Sequence, residues 1–152
     1  KGRLGPFLYD VIYLEDLAKS LNIESNEKLL TPTMLNSYVK QRVIPAPKDK
    51  KYTEEHLAYL IVVGVLKQVF SLQEICELIN IQIKGYSVEE AYDYFCDEIE
   101  KAIKAVFITR DFSYASMVDN NIKESKMLKS GVLSFAHKLY ITEYLKDETT
   151  ND

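Results

Sequence analysis

Apolar positions recur at helical spacing along most of this chain. Val11, Leu14, Leu17, Ala18 and Leu21 lie three and four apart with Glu15, Asp16 and Lys19 between them, which predicts a helix from about Asp10. Ahead of it, Lys1 to Tyr9 carry Gly2, Gly5 and Pro6 and read as a loosely held arm. Behind it, Ile23 to Lys28 is polar and reads as a connecting turn. Thr31 and Pro32 then open a second helix, because Thr is a good N-cap and proline loses nothing at the first helical position. Leu35, Tyr38 and Val39 fall on one side of that helix and should pack on the first stripe. Thr33, Asn36, Ser37 and Lys40 turn outward, and Pro45 and Pro47 end the segment.

From Thr53 the apolar content rises. Leu57, Leu60, Ile61, Gly64, Val65 and Val69 line one side, and Tyr59, Val62, Val63 and Leu66 fill much of the rest, so this helix should be nearly surrounded. Gly64 inside it costs about 1 kcal/mol against Ala, which the close approach of a neighbouring helix would justify. Ser71 with Glu74 and Ser87 with Glu90 have capping-box spacing and open two more helices. In the second of these, Val88, Tyr92, Phe95, Ile99, Ala102 and Val106 repeat at intervals of 4, 3, 4, 3 and 4 residues. That heptad seam, within a helix over 87–108, fits either a second copy of the chain or the last helix of its own chain, since both bury the same face. Arg110 to Ser116, with Asp111 as a candidate cap, reads as a break between helices, with one unbroken helix as the alternative. A last helix then runs from about Ser116 to Lys146, and Asp147 to Asp152 should fray. The fold class is all-α.

Charge changes the picture. The 152-residue chain has a net charge of −4, yet between Thr31 and Tyr52 five basic residues, Lys40, Arg42, Lys48, Lys50 and Lys51, meet only Asp49. Residues from Thr53 onward hold ten basic against seventeen acidic groups, so positive charge is concentrated in one window. Asn and Ser/Thr can hydrogen-bond base edges and phosphates, and Lys neutralises phosphate. Thr31, Thr33, Asn36, Ser37, Lys40, Arg42, Lys48, Lys50, Lys51 and Tyr52 are therefore the candidate contacts to double-stranded DNA. An ordinary solvated helix face is the competing reading of the same polar groups.

The stretch RVIPAPKDKKYTEEHLAYLIVVGVLKQVFSLQEICELI resembles the DNA-binding domain of MerR-type regulators. Val43, Ile44, Pro45 and Pro47 stand for the run that closes the reading helix. Tyr52, Thr53, Glu54, Glu55 and Leu57 match the helix after the wing, and Phe70, Ser71, Leu72, Glu74 and Ile75 match the one after that. The wording TPTMLNSYVKQRVIPAP is similar to the bacterial domain-of-unknown-function family 1836, a MerR-like group without an assigned activity. The resemblance implies an arm at 1–9, a winged helix-turn-helix domain at 10–82, and a helical region at 83–152 for dimerisation or effector binding. It also implies a homodimeric transcription regulator. The wing is cut to Lys48 through Lys51 and lacks Gly and Arg, so a short basic loop is expected in its place. Residues Asn22 to Leu30 lengthen the connection before the reading helix. The rival function is a protein-interaction module on the same scaffold.

Little points to catalysis. His56 and His137 have no partner at ligand or triad spacing, and the glycines form no phosphate-binding loop. Cys76 and Cys96 make neither a disulfide framework nor a metal motif, so the expectation is a cytoplasmic protein with no metal and no cofactor. The longest apolar run, Leu60 to Leu66, is far short of the roughly 18 residues of a membrane span. Six tyrosines and four phenylalanines follow Gly85; they read as core or as the lining of a pocket for a small-molecule effector.

Overall fold

The computed structural model describes residues 32–49, 51–116 and 123–150. The helix expected from Asp10, its apolar stripe and the turn after it lie outside the described residues, as do Thr31 and Lys50. Within them the chain is all-α. Helix α1 is Pro32–Lys40, α2 is Glu54–Leu66, α3 is Leu72–Ile83 and α4 is Val88–Lys104. A π-helical turn, Ala105–Thr109, extends α4, and the short α5, Ser113–Ser116, precedes the long α6, Lys123–Thr150. No strand is present among the described residues, only an isolated bridge between Lys48 and Lys51.

Local chemistry explains the helix ends. The Ser71 hydroxyl accepts from Glu74 N–H at 3.2 Å to start α3, while Ser87 and Glu90 exchange two such bonds, each 3.1 Å, to start α4. Asp111 accepts from Ser113 N–H at 3.0 Å, and its bonds to the Ser113 side chain and backbone hold its carboxyl below the usual range. Two helix ends differ from expectation. Helix α1 stops at Lys40, before the prolines, because Arg42 turns left-handed at φ 59°. Its N–H bonds to Val39 O at 3.0 Å and Val43 N–H reaches back to Tyr38 O at 2.9 Å, a Schellman closure with Tyr38 and Val43 both buried beneath it. Helix α6 begins at Lys123 and continues through Thr150, so the tail expected to fray from Asp147 is helical to that point.

Helix α2 is the expected central post, with no exposed residue from His56 to Lys67. Gly64 departs from expectation: a Cβ built there meets nothing within 4 Å, so no close helix approach explains it. The seam on α4 is buried inside its own chain. Tyr92, Phe95, Ala102 and Val106 are at most 4% exposed. Ile99 packs half-buried on the same core and Val88 lies under Ala58 and Tyr92. Val132 and Ala136 of α6 share that core, so Tyr92, Phe95, Ala102 and Val106 of the seam are covered within the chain. The physical reason is proximity: α6 is tethered to α4 and offers a matching apolar stripe.

One core runs from Tyr38, Val43 and Ile44 through Val63 and Ile75 to Phe95, Val106 and Val132. It crosses the boundary expected at residues 82 and 83 without a break, so the two halves share their hydrophobic interior. An ion cluster with buried Glu98 at its centre and exposed Lys101 at its rim pins α6 to α4. Glu98, 9% exposed, lies 3.4 Å from Lys101 and 3.8 Å from Lys129, whose ammonium also donates to Tyr114 O at 3.2 Å. Burial, with the Glu98 charge nearby, pushes the Tyr114 phenol upward.

Candidate nucleic-acid interface

Helix α1 has two faces. Tyr38 is buried, and Met34, Leu35 and Val39 pack half-buried on the core. Thr33, Asn36 and Lys40 are exposed on the other side, with Ser37 half-buried beside them. This one-sided placement follows the spacing of the apolar residues. Gln41, which the sequence reading omitted, is also exposed and donates to the Ser37 hydroxyl at 2.7 Å. It continues the polar face by one turn, at a position four residues after Ser37 that could have been read from the sequence.

The chain then descends into the core through Val43 and Ile44 and returns to the surface at Pro45. Arg42 sits at the turning point, exposed and in a backbone conformation that glycine adopts far more readily. Cys76 on α3 donates its S–H to the Arg42 carbonyl at 3.5 Å, which ties the end of α1 to α3. Beyond it, Lys48 N–H donates to Lys51 O at 3.0 Å and Lys51 N–H to Lys48 O at 2.8 Å, with Asp49 left-handed at φ 48°. Such reciprocal bonds close the tightest antiparallel hairpin. Lys48, Lys51 and Tyr52 are all exposed, as the short basic loop required.

His56 holds this loop in place. Its ring is 1% exposed. Nδ1 accepts from Thr53 N–H at 3.0 Å with the Thr53 hydroxyl 2.9 Å away, and Nε2 lies 3.0 Å from Ala46 O. A nitrogen that accepts at Nδ1 leaves the proton on Nε2, which then donates to the carbonyl; this tautomer follows from the bonding pattern. Histidine thus takes the place of Glu or Gln in a capping box, and its far nitrogen fastens the Pro45-Ala46-Pro47 segment to the start of α2. Tyr52 stacks edge-on against the same ring at a centroid distance of 5.2 Å. The signal in the sequence was Thr53 followed three residues later by a residue able to reach back. It was missed because the capping residue was a histidine.

The remaining chemistry is sparse. Among the described residues no group of three His, Cys, Asp or Glu side chains could hold a metal ion. No helix among them is long and apolar enough to cross a membrane. His137 stacks on Phe112 at 5.6 Å, and Cys76 and Cys96 are not disulfide-bonded. An apolar cleft of about 70 Å³ opens between α2, α3, α4 and α6, lined among others by Tyr59, Val62, Ile79, Phe95 and Leu128. Burial, reinforced by the Glu55 charge, raises the Tyr59 phenol above its ordinary range.

A sequence model of the family described as Domain of unknown function (DUF1836) matches residues 7–95, more than half of the chain. Neither the curated proteins nor the solved structures contain a match.

Proposed function

The chain belongs to that family, whose description assigns no activity, and we propose that this member is a sequence-selective binder of double-stranded DNA acting as a dimeric transcription regulator. The observation that supports it most is the exposed polar face of α1 followed within a few residues by an exposed basic hairpin. Thr33, Asn36, Ser37 and Gln41 are suited to base edges and the nearer phosphates, while Lys40, Arg42, Lys48 and Lys51 neutralise backbone charge. On this reading α1, the Lys48–Lys51 hairpin, α2 and α3 would stand for the reading helix, wing and following helices of a MerR-type reader, with the hairpin a wing reduced to its turn. The apolar cleft between α2, α3, α4 and α6 is where a small effector would bind on this reading, and its present volume of about 70 Å³ would have to widen to admit one. Two cysteines outside any disulfide suit a reducing cytoplasm.

The test is fluorescence anisotropy against the gene's own promoter DNA and a scrambled duplex from about 50 to 300 mM salt, a range over which phosphate contacts are progressively screened. Promoter-selective, salt-sensitive binding is the expected result. Absence of binding at the lowest salt would transfer the scaffold to the rival reading, a protein-interaction module, which the net charge of −4 favours.

A further inference from the structure

The cleft between α2, α3, α4 and α6 does not end at its own walls. A second space of about 340 Å³ lies beside it, bounded by Phe70, Leu78 of α3 and one side of α6. Leu78, Met127 and Gly131 line both spaces, so the two adjoin there. Gly131 is buried inside the 28-residue α6, where glycine is a poorer helix former than alanine. A Cβ at this position would meet only Phe70 Cε2, at 4.0 Å, which is an ordinary contact, so packing does not require the glycine. What the missing side chain leaves is room between the two spaces.

The lining selects the ligand. The inner cleft is walled mostly by apolar side chains, and its one amide, Gln82, already donates to Glu124 O at 2.8 Å, so the interior favours hydrocarbon. A cavity of about 150 Å³ is what benzene occupies. At about 70 Å³ the cleft therefore has to widen least for the end of an unbranched chain, which is thinner than a ring. The outer space is different. Lys126, Ser130 and Ser134 line it at four-residue intervals along one side of α6, with Lys126 and Ser130 exposed. Among the described residues that line either space, Lys126 alone is charged. A hydrocarbon interior with a single cation at its exposed rim matches an amphiphile with one negative head. We propose that the two spaces together bind a straight-chain carboxylate of the fatty-acid class, its tail passing Gly131 into the cleft and its head paired with Lys126 beside the Ser130 hydroxyl. The assignment rests on the reading of this cleft as an effector site and names the effector's chemical class.

Isothermal titration calorimetry of the full chain without DNA tests it, using octanoate, decanoate and dodecanoate below their micellar concentrations, with the melting temperature as a second readout. One molecule per chain should bind, tighter by up to about fourfold for each added methylene that reaches the apolar interior. Dodecanol keeps the tail and lacks the charge, so it should bind about tenfold more weakly. Lys126→Gln should bring dodecanoate down to that level and leave dodecanol unchanged. Gly131→Ala should raise the melting temperature of the free chain, since alanine suits a helix better, yet weaken every ligand by about fourfold, the loss of one buried methylene. A glycine with a structural role alone would not move the affinities. No binding of dodecanoate in either readout, uptake of many molecules per chain, affinity indifferent to chain length, equal binding of dodecanoate and dodecanol, or affinities unchanged by Gly131→Ala would overturn the assignment. The titration stands apart from DNA: a chain that binds dodecanoate and ignores DNA removes the regulator and leaves the site, and the reverse pattern removes the site.

Discussion

Replacing His56 with alanine should loosen the DNA-facing surface while leaving every candidate DNA contact chemically unchanged, although Tyr52 loses the ring it stacks against. The imidazole supplies the cap at Thr53 N–H, and caps contribute about 1 kcal/mol. Its bond to Ala46 O contributes about another 1 kcal/mol. Removing a ring that is 1% exposed leaves a small void costing on the order of 1 kcal/mol more. Thr53 and Ala46 are themselves exposed, so water can take over part of both lost bonds, and a total of about 2 to 3 kcal/mol is the reasonable expectation. His56→Gln separates the two roles. Glutamine at this position can still reach back to Thr53 N–H in an ordinary capping box, but it cannot also hold Ala46. It should therefore lose about half as much stability. Urea unfolding followed by circular dichroism reads both variants, with an unchanged m-value showing that the compactness of each state is preserved. In parallel, amide exchange at Lys48 and Lys51 should quicken in both, because both free the loop. If alanine cost less than about 0.5 kcal/mol, the typical scatter of surface substitutions, the latch would be an accident of packing. If glutamine cost as much as alanine, the cap would contribute nothing.

Three further outcomes follow from the geometry. Gly64→Ala meets no neighbour and sits within a helix, so it should stabilise the chain by about 0.5 to 1 kcal/mol, read as a raised urea midpoint; destabilisation would reveal a contact at that site. Arg42→Gly should relieve the left-handed backbone strain and raise stability by up to about 1 kcal/mol while weakening DNA binding, whereas a loss of stability would show that the guanidinium is structural. Asn36→Ala should flatten the preference for promoter over scrambled DNA, and Lys48→Ala should weaken both duplexes alike and lower the salt slope by about one; the opposite pattern would reverse the two roles.

Spacing and capping residues carried the helices. Ser71, Ser87 and the run from Leu57 to Leu66 located α2, α3 and α4 because each rests on local chemistry: a hydroxyl beside free N–H groups, or an apolar repeat that must be covered. The polar face of α1 was legible for the same reason. What escaped were effects decided by tertiary contact or by an uncommon residue in a common role. Arg42 stops α1 although nothing in an arginine announces a left-handed turn; Tyr38 and Val43 packing beneath it stabilise that conformation. His56 acts as a cap, which its residue type rarely suggests. The seam on α4 fixed which residues would be buried, but a periodicity of apolar groups says nothing about which molecule supplies the cover.

The family match ends at residue 95, in the middle of α4, while the interior it helps to enclose is completed by Val106, Val132 and Ala136 further on. The unit of sequence recognised across relatives and the unit that folds are therefore different pieces of chain. A fragment cut at the family boundary would end on Phe95, with half a helix and no lid over it. In this chain α6 supplies that lid.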